Sequence, residues 1–147
     1  MMKIQMIFKY IAVMPMVLFT LFACYADGLN EGSQETEGGV IVIESETQFY
    51  EHINGDTPVL VDFHADWCRP CRIQGPIVKD VSEEMAGKLV VLKLDVDAFP
   101  RLASKYQVRS IPTLILYKEG ESLWKGIGLK QKAEIQAAVN ARIGDKD

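Results

Sequence analysis

Cysteine is scarce in this chain: Cys24, Cys68 and Cys71 are the only three in 147 residues. Three are far too few for a disulfide-stapled scaffold, so the fold must rest on a hydrophobic core, and an apolar content of 48% is enough to build one. Histidine is scarcer still. With only His52 and His64 available, a zinc site on a cysteine pair lacks ready partners, and no metal is expected. Arginine, not histidine, follows Cys71, which excludes the usual covalent haem attachment. Positive charge is in deficit, with 16 Lys and Arg against 20 Asp and Glu, and a net −4 argues against a nucleic-acid partner. There are no internal repeats. The length suits one domain of usual size with some extra sequence, acting as a monomer.

Long apolar runs are also missing. The longest, Tyr10 to Ala23, is uncharged, yet it is shorter than the roughly 20 residues that span a bilayer, and Pro15 interrupts it. Preceded by Lys3 and Lys9, it has the order of a secretory signal, so residues 1–23 are expected to direct export. A tilted membrane helix that stays uncleaved is the alternative. Leu21-Phe22-Ala23-Cys24 resembles a bacterial lipobox, which implies that Cys24 becomes a lipid-bearing first residue. Phe22 departs from that pattern, where a smaller residue is usual. Ordinary cleavage after Ala26, leaving a soluble periplasmic protein, is the competing expectation. Loss of residues 1–23 removes two lysines and takes the net charge from −4 to −6. Residues 24–39 are polar, acidic and glycine-rich, and read as a flexible linker.

From residue 40 the pattern changes. Val40 to Ile43 reads as a strand, Thr47 to Asn54 as a helix, and Val59 to Phe63 as a central strand covered on both faces. Arg69 to Met85 reads as a helix with Ile73, Ile77, Val78, Val81 and Met85 facing inward. Leu89 to Leu94 is a buried strand and Phe99 to Tyr106 a short helix. Thr113 to Tyr117 and Ser122 to Lys125 form a hairpin, and Lys130 to Ile143 a closing helix. Alternating strands and helices predict an α/β layered fold, and the hairpin makes its sheet mixed.

Within this frame Trp67-Cys68-Arg69-Pro70-Cys71 puts two thiols two residues apart where a strand hands over to a helix. A pair so spaced can close a disulfide across one turn, and the chemistry it suggests is thiol–disulfide exchange. Cys68 is expected at the helix start, partly exposed, where unbonded N–H groups and the helix dipole favour a thiolate. Cys71, one turn on, is expected to lie deeper. Asp62 interrupts an apolar strand. Alternation places it on the face of Leu60 and His64, buried and with a raised pKa.

Val61 to Cys71 resembles the active-site segment of thioredoxins, and Ser110-Ile111-Pro112-Thr113-Leu114 resembles their cis-proline loop. Leu94 to Asp97, the Tyr117 to Gly120 turn and Gly128 also fall where that family has counterparts. The resemblance covers residues 40–143. It implies a thioredoxin fold over residues 40–147: a central mixed β-sheet flanked by helices on both faces. It implies that Cys68 attacks a substrate disulfide and Cys71 resolves the mixed disulfide, with Asp62 as general acid and base towards Cys71 and Lys93 beside it. Asp62 as a structural carboxylate and Lys93 as a solvent-reaching lysine are the plainer alternatives. It further implies a cis Ile111–Pro112 bond, a substrate groove shaped by Trp67, Ile111, Pro112 and Gly128, and no cofactor beyond the Cys68–Cys71 disulfide.

Two residues depart from the family. Arg69 replaces the glycine usual between the cysteines; its charge should stabilise the Cys68 thiolate and make the couple more oxidising. His64 replaces a common tryptophan, either to titrate near neutrality or simply to pack. The expected activity is a protein-disulfide reductase of the cell envelope, with isomerisation of wrong disulfides as a further activity. Its partners would be disulfide-containing envelope proteins and a membrane electron donor, and lipidated Cys24 would tether it. A dithiol oxidase and a redox-inert binding module are the alternatives.

Overall fold

The computed structural model describes residues 36–37 and 39–143. Cys24, the expected signal peptide and most of the expected linker lie outside them. Among the described residues six strands and four helices follow in order: β1 (Thr36–Glu37), β2 (Val40–Val42), α1 (Glu46–Ile53), β3 (Val59–His64), α2 (Arg69–Glu84), β4 (Val90–Asp95), α3 (Pro100–Lys105), β5 (Thr113–Lys118), β6 (Glu121–Ile127) and α4 (Lys132–Ile143). The sheet order is β1-β2-β4-β3-β5-β6. β2, β4 and β3 run parallel, whereas β5 lies antiparallel to β3 and β6 antiparallel to β5. The sheet is mixed, as the hairpin implied.

β3 sits at the centre, and all six of its residues are buried. Its side chains alternate between two cores. Leu60 packs with Val91, Leu114 and Leu116 under Val78 and Val81 of α2 and Ile135 and Val139 of α4. Val61 and Phe63 pack on the other face with Leu92, Leu94 and Ile115 under Phe49 of α1 and Leu102 of α3. Each such fully buried side chain contributes about 1.5–3 kcal/mol, so the two layers together fix where β3 ends.

Local chemistry sets the element ends. Ser45 caps α1, its Oγ accepting from Gln48 N at 3.1 Å. The β5–β6 turn places Glu119 and Gly120 at φ 52° and 80°, the conformation a two-residue hairpin loop needs. Gly120 N donates to Ile53 O at 2.8 Å, and a Cβ at this position would stand 2.9 Å from Asn54 Oδ1.

Two expectations need correction. β1 pairs with β2 antiparallel, Thr36 opposite Ile41 and Glu37 opposite Val40, so the end of the stretch read as a linker joins the sheet edge. Its low apolar content hid this, because backbone pairing needs no apolar side chain. On α2, Ile73 points outward, 52% exposed, while Gln74 is fully buried. The inward stripe runs Cys71, Gln74, Val78, Val81 at steps of three and four, with Ser82 beside Val81 and four residues after Val78. Ile73 lies one residue, or about 100° of helix, off that line.

Candidate redox site

β3 ends at His64, and the chain turns through Ala65, Asp66 and Trp67, with Cys68 N donating to Ala65 O at 3.1 Å. α2 begins at Arg69 with Cys68 as its N-cap, and Pro70 occupies the first turn, where a missing N–H costs nothing. Cys68 and Cys71 form a disulfide, S–S 2.03 Å, Cα–Cα 5.3 Å. Cys71 N–H donates to Cys68 Sγ at 3.2 Å. No acidic residue stands in the first turn of α2 to compete for its amides. A thiolate at Cys68 therefore meets an aimed N–H and the positive end of a 16-residue helix. Arg69 and Pro70 are both exposed.

The expected contrast in burial does not hold. Cys68 is 3% exposed and Cys71 6%, so the first cysteine is not the more open one. Ala65, Val96 and Ile111 pack over both cysteines of the disulfide. Trp67 carries the exposure instead, at 70%. Its indole Nε1 donates to Asp97 Oδ2 at 2.7 Å, which fixes the ring while leaving its face open. Asp97, thirty positions away, was not marked as a site residue by the sequence.

The Ile111–Pro112 bond is cis. Pro112 O accepts from Gly128 N at 2.8 Å, so the proline loop and the segment after β6 are joined by backbone. Gly128 has φ 78° with no heavy atom near its missing Cβ; conformation, not space, favours glycine there. Trp67 and Ile111 share a cleft of about 680 Å³ that continues along α3 past Val96, Ala103 and Val108.

A second cleft, about 760 Å³, opens on the α2 side and is lined by His64, Cys71, Arg72 and Lys93 among others. His64 is 8% exposed there. Asp62 is 1% exposed, and its Oδ1 has no hydrogen-bond partner from the protein. In the parallel pairing of β3 with β4 it stands opposite Lys93. Burial pushes the Asp62 carboxyl up to about 7, and the Lys93 charge pulls the other way without cancelling it. His52 belongs to the last turn of α1. Among the described residues no group of three or more His, Cys, Asp or Glu is placed to hold a metal ion. The arrangement thus offers a reducible disulfide, a helix terminus suited to one thiolate, and a buried carboxyl that titrates near neutrality.

An acid whose pKa is raised on folding loses its proton first in the unfolded chain as pH rises. The contribution of Asp62 to stability is fully present below about pH 4 and is lost as pH climbs to about 7. Chemical denaturation should show the parent losing roughly 2–4 kcal/mol relative to Asp62→Asn across that window, with the variant the more stable at pH 8. Parallel curves for the two proteins would remove the buried carboxylate from the account.

The thioredoxin family model matches residues 40–141. A thioredoxin from Rickettsia felis is 45% identical over 93 residues, covering 63% of this chain and 89% of that protein. A mitochondrial thioredoxin from Bos taurus is 40% identical over 92 residues, covering 63% and 55%. Among solved structures, Malassezia sympodialis thioredoxin (Mala s 13) superposes with a TM-score of 0.67 at 33% identity, covering 75% of this chain and 96% of that one. A mutant thioredoxin from Halobacterium salinarum gives 0.67 at 30%, covering 77% and 98%. With the disulfide at the start of α2 and the mixed sheet behind it, these matches establish that the chain belongs to the thioredoxin family and is a protein-disulfide reductase whose redox group is its own Cys68–Cys71 pair.

Proposed function

We propose that this chain reduces protein disulfides in a bacterial cell envelope through a mixed disulfide on Cys68 that Cys71 resolves. The observation that carries the chemistry is the Cys71 N–H aimed at Cys68 Sγ, 3.2 Å away. In the reduced protein the Cys68 thiolate attacks one sulfur of a substrate disulfide. That S–S bond breaks, a new one forms to Cys68, and the departing substrate thiolate takes a proton. Cys71 then gives its proton to Asp62 and attacks Cys68 Sγ, releasing the second substrate thiol. Two electrons leave the protein, which returns to the disulfide state. A carboxyl near pH 7 is matched to accept and return that proton, and Lys93 across the strand moderates its charge. Trp67, Ile111, Pro112 and Gly128 border the bound polypeptide. The protein acts as a monomer.

The envelope assignment rests on the N-terminal sequence: Lys3 and Lys9, the apolar stretch to Ala23, and Leu21, Ala23 and Cys24 in lipobox order. Lipid on Cys24 then tethers the domain through the acidic linker, and a membrane dithiol carrier re-reduces it. A second reading, net oxidation of substrate thiols, is favoured by one observation. Arg69 places a fixed charge beside Cys68, and stabilising the thiolate stabilises the reduced protein. Its exposure weakens that effect through screening.

A Cys71→Ser variant expressed in the envelope should accumulate disulfide-containing proteins as adducts that dithiothreitol releases, while a Cys68→Ser, Cys71→Ser double variant captures none; equal capture by both would defeat the mechanism. Arg69→Gly should lower the reduction potential measured against glutathione by roughly 10–30 mV. A raised or unchanged potential would end the oxidase reading. Growth with a tagged fatty acid should label the parent and leave Cys24→Ala unlabelled, and an unlabelled parent would mean it is no lipoprotein.

A further inference from the structure

At position 74 the buried stripe of α2 carries an amide among Cys71, Val78 and Val81. Gln74 is 0% exposed. An amide wholly out of water is costly unless both its ends are bonded. Here one distant residue satisfies both. Gln74 Oε1 accepts from Lys130 N at 2.8 Å, and Gln74 Nε2 donates to Lys130 O at 3.3 Å. Lys130 lies between β6, which ends at Ile127, and α4, which begins at Lys132. It is also held through its side chain, Nζ to Glu134 Oε1 at 2.8 Å.

The same short segment contains Gly128, whose N–H is bonded to Pro112 O. Residues 128–130 therefore hang from two points, the proline loop at one end and the disulfide-bearing helix at the other. Between and beside those points stand Leu129, 39% exposed, and Ile127, 60% exposed. Solvent-facing apolar side chains on a pinned backbone suit contact with an apolar partner.

We propose that Gln74 is a positioning residue for protein substrates: it sets the distance between α2 and the 128–130 segment, so that Leu129 and Ile127 form a fixed wall for apolar residues flanking the target disulfide. The inference rests on the reductase reading and on Gly128 bordering the groove. Small disulfides, which do not reach this wall, are turned over independently of it.

The full chain, kept reduced with dithiothreitol, would be assayed above background on insulin and on hydroxyethyl disulfide. Gln74→Leu is near in volume and removes both bonds. It should raise KM for insulin about fivefold, because only part of the two lost hydrogen bonds is felt by bound substrate, with kcat and the hydroxyethyl disulfide rate within about twofold of the parent and the reduction potential unchanged. Gln74→Glu keeps the acceptor for Lys130 N, but as a carboxylate it has no proton for Lys130 O and regains one only when protonated. Its KM relative to the parent should be raised at pH 8 and converge on the parent at pH 5. A folded Gln74→Leu variant with unchanged insulin KM overturns the proposal. So does an equal loss on both substrates. If Gln74→Leu does not fold, the Gln74→Glu ratio decides, and a ratio independent of pH overturns it. A parent inactive on both disulfides would refute the reductase reading itself, a result distinct from any of these.

Discussion

Burial of β3 on both faces is the constraint on which the rest depends. All six residues from Val59 to His64 are out of solvent, locked by parallel pairing to β4 on one side and antiparallel pairing to β5 on the other. A strand held that firmly delivers its C-terminal end to one place. Cys68 follows four residues later, and Ala65 both accepts the Cys68 N–H and packs on the disulfide. The reactive pair is mounted just beyond a strand that is buried along its whole length and paired on both sides, and such elements keep reacting groups in register.

The same burial creates the site's electrostatics. Asp62 belongs to the strand that must be dry, so its carboxyl is held well above its ordinary pKa, and Lys93 on the neighbouring strand offsets only part of the effect. The buried carboxyl costs the fold stability as pH rises to about 7, and in the proposed reaction it would take the Cys71 proton. At the other end of the reaction the balance reverses: Cys68 faces an N–H and a helix terminus that favour charge. Two positions a few residues apart thus have opposite surroundings, a dry strand interior at Asp62 and a helix N-terminus at Cys68.

The proposed substrate groove draws on segments that are remote in the chain and joined mainly by hydrogen bonds. Trp67 is fixed by Asp97, Gly128 by the backbone of Pro112, and Lys130 by the side chain of Gln74. None of these contacts follows from pattern or propensity, because each depends on which loops the sheet order brings to one end. Arg69 stands apart, an exposed charge next to Cys68 in the chain, where solvent screens any effect it has on the dithiol.

What the sequence by itself determined was everything carried by local period and spacing. Alternation on β3 put Asp62 beside Leu60 and His64, the two-residue gap between cysteines allowed the disulfide, and the residues around Cys68 and Pro112 marked the family. Helical period also contained the assignment of Gln74 to the buried stripe, but hydrophobicity pointed to Ile73, since an amide looks like a surface residue until its partner is known. The edge strand Thr36–Glu37, the shared burial of both cysteines, the Trp67–Asp97 bond and the Gln74 clamp were decided only in the tertiary structure. Each is an interaction between groups far apart in sequence, or made by backbone alone, and a chain read in one dimension carries no distance between them.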